Sequence, residues 1–140
     1  MAQEEKNSAA LAKLAEAASS GNLAVLDEVF APNVVDHDPA PDQEPGPDGY
    51  KRFFSGLRAA FPDLTVTVDR LVQTETDIAI AYTIRGTHRG EFSGIAPTGR
   101  PIYARGMQIA RFEDGKIVER WGSFDELGIL LKLGAKVSPG

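Results

Sequence analysis

Along the first part of the chain, apolar residues recur at intervals of three and four. Leu11, Leu14, Ala15 and Ala18 fall at i, i+3, i+4 and i+7, which is one stripe of a helix that Gly21 ends. Val25, Leu26, Val29 and Phe30 carry a second short helix with Asn22 placed to cap it. It must stop at Ala31, because Pro32 disfavours helical geometry in the residue before it. Val34 to Asp38 reads as a brief strand, after which Pro39, Pro41 and Pro45 exclude both helix interior and central strand and leave a loop. Gly46-Pro47-Asp48 starts a third helix, with proline at its first position and an acid where the helix dipole favours one. Tyr50, Phe53, Phe54, Leu57 and Phe61 follow at helical spacing until Phe61-Pro62-Asp63 ends the element, so this aromatic stripe marks the helix that covers the core.

Beyond it the period changes from about 3.6 to 2. Leu64 to Val72, Ile78 to His88, Ile102 to Phe112 and Ile117 to Ser123 read as strands. Thr74-Glu75-Thr76-Asp77 and Glu113-Asp114-Gly115-Lys116 are hairpin turns, the second more strongly signalled because a type I′ turn needs two positive φ angles. Arg89 to Arg100, with three glycines and a proline, suits a wide loop that could line a pocket mouth. Asp125 to Leu133 is a last helix, ended by Gly134. Helices first and a meander of strands afterwards predict an α+β fold: one domain over 1–140, with helices packed on one face of a curved, mostly antiparallel sheet. Residues 1–7 are expected to be flexible and 135–140 to form a tail. A sheet curling around the aromatic helix would leave a cone-shaped pocket floored by inward-facing strand residues.

Composition narrows the partners. Fifteen Lys and Arg against twenty Asp and Glu give a formal net charge of -5, which disfavours nucleic acid and acidic membranes and leaves small hydrophobic molecules open. Without cysteine there is no disulfide framework, thiolate metal site or thiol nucleophile. An acidic N-terminus and the lack of a long apolar run read as a cytoplasmic protein.

Phosphate loops, nucleophile elbows, His-Glu-x-x-His pairs and dinucleotide fingerprints do not occur, so any catalysis should be acid/base chemistry on a bound organic molecule. Asp125 stands where the last strand hands over to the last helix, and strand parity puts it with Trp121 and Ser123. Ser123-Phe124-Asp125-Glu126 matches a capping box in which Ser123 caps and Glu126 reaches back, leaving Asp125 free, with Trp121 and Phe124 as its apolar wall. Asp36-His37-Asp38 places two carboxylates on one face of a strand and an imidazole on the other. A metal is not expected, since only His88 could add a second nitrogen and no ligand pair has i, i+4 spacing. His37 and Asp38 are instead candidate pocket contacts, as is His88. On the fourth strand Arg105 and Arg111 share one parity and Gln108 the other, so one set faces the pocket. Gln108 would orient a carbonyl, whereas an inward Arg105 would need a carboxylate partner. Tyr50, Phe53, Phe54 and Trp121 serve as pocket wall or as core.

Six segments, in order and spacing, resemble the SnoaL-like polyketide (ester) cyclase family over nearly the whole chain after the first helix. They are Asp36-His37-Asp38-Pro39, Gly49-Tyr50-Lys51-Arg52-Phe53-Phe54, Ala60-Phe61-Pro62-Asp63-Leu64, Arg85-Gly86-Thr87-His88-Arg89-Gly90-Glu91-Phe92, Pro97-Thr98-Gly99-Arg100, and Gly115 to Trp121 continued by Phe124-Asp125-Glu126-Leu127-Gly128. The resemblance implies the cone-shaped barrel shared with nuclear transport factor 2, ketosteroid isomerase and limonene epoxide hydrolase, assembled as a homodimer or homotetramer and using neither metal nor cofactor. It also implies that the aspartate after the Trp of the last strand, here Asp125, is the general acid/base of an intramolecular aldol closure. The chain departs from the family at Gln108, where an acid or His is frequent, and at Arg120, where His is common. Two alternatives stand beside the cyclase reading. One is an epoxide hydrolase built from Asp36 or Asp38, Arg105 and Asp125; the other is a non-catalytic small-molecule receptacle.

Overall fold

The computed structural model describes residues 2–139, so Met1, of the expected flexible segment, and Gly140, of the expected tail, lie outside it. Helix α1 is Ala2–Ser20, and a 3₁₀ turn at Leu23–Val25 leads into the short α2, Leu26–Val29. Then follow β1 (Phe30–Asp36), α3 (Pro47–Ala60), β2 (Thr65–Gln73), β3 (Asp77–Thr87), β4 (Pro101–Glu113), β5 (Lys116–Phe124) and α4 (Glu126–Lys132). The strands form one five-stranded sheet in the order β1-β5-β4-β3-β2. Only the β1/β5 pair is parallel; the other three are antiparallel.

The α+β architecture and most predicted elements are present, with three differences. Residues 2–7, expected to be flexible, belong to α1 because the β2–β3 end of the sheet offers them partners. Asn7 is fully buried and donates from Nδ2 to the Glu75 carbonyl at 3.1 Å, and Gln73 Nε2 donates to the Glu4 carbonyl at 2.7 Å. Phe30, read as helical, already has extended backbone (φ -104°, ψ 137°) and opens β1, four residues earlier than the predicted strand. The third difference lies at α4, whose cap is Asp125 itself: its Oδ1 accepts from the Gly128 amide at 2.9 Å. Ser123 cannot cap, because β5 runs through Phe124 and holds Ser123 in the ladder opposite Met107. The Asp114-Gly115 turn has the two positive φ angles that its sequence demands, 52° and 75°.

Alternation on β4 places Ile102, Ala104, Gly106, Gln108, Ala110 and Phe112 on the buried face and turns the odd-numbered residues outward, all exposed but the half-buried Arg111. On β5 the alternation breaks once. Phe112 pairs with Ile117 but Arg111 pairs with Glu119, so Val118 is an extra residue and inward parity changes from Ile117 to Arg120, Gly122 and Phe124. α1 and α3 cover this inner face, and Phe30 of β1 stacks on Tyr50 of α3 with ring centroids 3.8 Å apart.

Candidate active site

Packing between the inner sheet face and the two helices is incomplete, and a cavity of about 360 Å³ remains. Its wall is mainly apolar. Leu11 and Leu14 come from α1, Phe53 and Phe54 from α3, and Ile80 and Phe124 from the sheet. Polar groups enter from β1, β4 and β5. Asp36, whose side chain is 7% exposed, meets Arg120, 16% exposed, with Arg120 Nη1 donating to the two carboxylate oxygens at 3.2 and 3.1 Å. The same carboxylate accepts from Tyr50 Oη at 2.8 Å and from the Asp38 amide at 2.9 Å, so its lone pairs are fully used. Arg120 Nε donates to Gln108 Oε1 at 2.8 Å, which links the fourth strand to the cluster. Burial, reinforced by the Asp36 carboxylate, pushes the Tyr50 hydroxyl well above the ordinary phenol range, so Tyr50 is a fixed donor rather than a proton shuttle. Asp38 lines the cavity while remaining exposed; its Oδ2 accepts from the Gly122 amide at 2.9 Å, and its Oδ1 has no hydrogen-bond partner among the described residues.

Of the residues predicted from sequence, Asp38, Tyr50, Phe53, Phe54 and Gln108 line this cavity. Five do not. Asp125 is exposed and accepts the Gly128 amide through Oδ1 in the α4 cap, and it is not among the residues that line the cavity. Trp121 faces the other side of the sheet because of the β5 bulge, and there it stacks on His37 with centroids 4.7 Å apart. His37 lies just past the end of β1 on the side opposite the cavity, and its Nε2 meets Glu119 Oε2 at 2.8 Å. Arg105 is exposed on the outer face, which removes the arginine from the predicted epoxide-hydrolase set. His88 is wholly buried under the 89–100 loop, beside Phe61; its Nδ1 accepts from the Thr98 amide at 3.1 Å, which ties the loop's two ends together.

The family model for SnoaL-like polyketide cyclases matches residues 8–133. The chain belongs to the SnoaL-like polyketide cyclase family. Among solved structures, this SnoaL-like protein is similar to IdmH, a candidate polyketide cyclase from Streptomyces antibioticus. Identity is 38% over 92% of this chain and 99% of that one, with a TM-score of 0.80. It is also similar to AclR, a candidate hydroxylase from Streptomyces galilaeus, at 28% identity over 94% and 97% of the two chains and a TM-score of 0.81. TsrD from Streptomyces laurentii matches at 26% identity over 94% and 97%, with a TM-score of 0.86. No curated protein matches the chain. No helix among the described residues is long and apolar enough to cross a membrane.

For this SnoaL-like chain, sequence reasoning passed over Arg120, Tyr82 and Gly122 as site residues. Parity counted from Ile117 would send Arg120 and Gly122 outward; the extra residue Val118 reverses this, and nothing local in the sequence marks it as a bulge. A usable signal was the company on β5: an inward Arg120 has Asp36 available on the neighbouring parallel strand, in register with it.

Proposed function

We propose that the chain is a cofactor-independent, cyclase-type enzyme that moves a proton on a hydrophobic carbonyl compound held in the cavity, with Asp38 as its acid/base. The carboxylate takes a proton from a carbon acidified by adjacent carbonyls, and the enolate carbon then attacks a ketone carbon of the same molecule. The new alkoxide recovers that proton from Asp38, which returns to the carboxylate. The observation that carries this reading is the pairing of an apolar cavity with a carboxylate held by a backbone amide through one oxygen and, among the described residues, unpartnered at the other. Asp36 is already saturated by Arg120, Tyr50 and an amide. Glu126 also lines the cavity, but no hydrogen bond among the described residues fixes it, and general-base catalysis depends on a held geometry.

Replacing Asp38 by Asn tests the assignment on a panel of β-dicarbonyl compounds, with epoxides in parallel and products followed by mass spectrometry. Turnover of a carbonyl compound should fall by about 100-fold or more while binding persists. Undiminished turnover would overturn the role of Asp38, and binding without turnover in the native protein would favour the receptacle. The absence of cysteine fits a cytoplasmic setting. A homo-oligomer is part of the same proposal. The exposed Tyr103, Met107 and Ile109 along the outer face of β4 are its support, and Met107→Lys should lower the mass seen in sedimentation.

A further inference from the structure

Accounting for donors on the cavity floor leaves three without acceptors. Arg120 Nε donates to Gln108 Oε1, which orients the amide so that the Gln108 Nε2 hydrogens have no acceptor among the described residues. Arg120 Nη1 is used by Asp36, and Nη2 has no acceptor there either. The Tyr82 hydroxyl also lines the cavity and has no partner among the described residues.

Strand register gathers the three. Ile80, Gln108 and Gly122 lie side by side across β3, β4 and β5, and Tyr82, Gly106 and Phe124 form the next inward row. Arg120 reaches from the row behind over Gly122: a methyl group at 122 would stand 2.5 Å from Nη2 and 2.9 Å from Cζ. Tyr82 lies over Gly106 so closely that a methyl group there would overlap its phenol oxygen. Both glycines thus supply the room in which an arginine and a tyrosine lie across the sheet, with Gln108 between them.

We propose that Gln108, Arg120 and Tyr82 form a cradle for the carbonyl oxygen of the substrate, stabilising the negative charge that oxygen gains as the enolate forms. The proposal rests on the proton-transfer reading above and names its electrophilic half. The substrate class it selects is an enolisable carbonyl compound with one planar, apolar end, because the cradle offers only donors and the wall beside it is Ile80 and Phe124. Arg120 is balanced by Asp36, so the floor can receive a neutral carbonyl and then strengthen its hold as charge develops. Burial raises the Tyr82 hydroxyl, with Arg120 acting weakly in the opposite sense, which keeps the phenol protonated as a donor.

A phenol that resembles an enolate tests the cradle without turnover. 2-Naphthol is bound to the full-length protein, and its ionisation is read from its absorption spectrum as pH is raised. The titratable groups lining the cavity are Asp36, Asp38, Tyr50, Tyr82, Arg120 and Glu126, and the carboxylates among them oppose a bound anion. A shift toward ionisation therefore has to come from the donors. Bound naphthol should have an ionisation constant at least about tenfold larger than free naphthol, a gain of ~1.4 kcal/mol for the anion. Tyr82→Phe and Gln108→Leu should each reduce that gain, and Gly122→Ala, which displaces the guanidinium, should remove most of it. Gln108→Glu keeps a partner for Arg120 and thus the fold, and should abolish the gain. Naphthol that ionises as it does in solution, a gain that survives Tyr82→Phe combined with Gln108→Glu, or a cavity that takes naphthalene and refuses naphthol would overturn the cradle. Asp38→Asn should keep or enlarge the gain, since it removes a negative charge. Turnover lost in Asp38→Asn with no naphthol gain in the native protein defeats the cradle alone; a native gain with turnover indifferent to Asp38→Asn defeats the proton-transfer reading alone.

Discussion

Two polar clusters sit back to back on the same strands and obey different physics. On the inner face, Asp36 and Arg120 share a carboxylate–guanidinium pair with side chains 7% and 16% exposed, completed by Tyr50 and Gln108. On the outer face their immediate chain neighbours His37 and Glu119 pair with each other, and Glu119 pairs in turn with Arg111, the three side chains being 41%, 28% and 40% exposed, with Trp121 stacked on His37. Each cluster is built on a carboxylate–arginine pair that couples β1 or β4 to β5, and the outer arginine also meets Glu113 at 3.3 Å. Inside, the charges are removed from water and must satisfy each other, so the arrangement is rigid and costly to break. Outside, solvent and salt share the work and the same contacts count for little. The cavity lies on the first face, between the sheet and the helices that cover it.

The widest separation between the faces should come from Arg120→Met. It leaves the Asp36 carboxylate buried beside a hydrocarbon, and urea unfolding should show a loss of about 3–5 kcal/mol. A loss no larger than that of a surface substitution would mean that water reaches Asp36 and that the two faces are alike. A smaller effect is expected at the end of β5, where Asp125 belongs to neither cluster. Asp125→Ala removes the cap of α4 and should cost about 1 kcal/mol in the same assay, with turnover unchanged. Turnover that collapses with the fold intact would return the acid/base role to Asp125.

Both faces were partly legible in the chain. The reading of Asp36, His37 and Asp38 correctly separates imidazole from carboxylates, although β1 ends at Asp36, and the parities of Arg105, Gln108 and Arg111 correctly divide the fourth strand, because β4 runs in unbroken register with β3. β5 was misread because a period of two has no memory of an inserted residue: once Val118 is extra, Trp121 and Arg120 exchange sides. The Ser123–Glu126 spacing does match a capping box, yet a residue held in a strand ladder cannot also turn its side chain to a helix N-terminus. His88 gave no sign of its role, since a loop closed by an imidazole accepting from Thr98 ten residues on follows neither a helical nor a strand period.

The smallest effect should appear on the outer face, and its pH dependence is its signature. Hydrogen bonds first from His37 and then from Arg111 hold the Glu119 carboxyl below its ordinary value of 4.5. A group whose folded value is depressed binds its proton more readily in the unfolded chain, so folding gains stability above the unfolded value and loses it as pH falls through the folded one. Native protein should therefore be slightly more stable than Glu119→Gln at neutral pH, with the margin shrinking below about pH 4.5 as the carboxylate protonates. Added salt should shrink it further, because the contributing side chains are exposed. Thermal unfolding of the two proteins across pH, at low and high salt, measures that margin. A margin that persists in strong acid or ignores salt would show that Glu119 acts through packing under Trp121 rather than through its charge, and the contrast between the faces would then be one of shape instead of solvation.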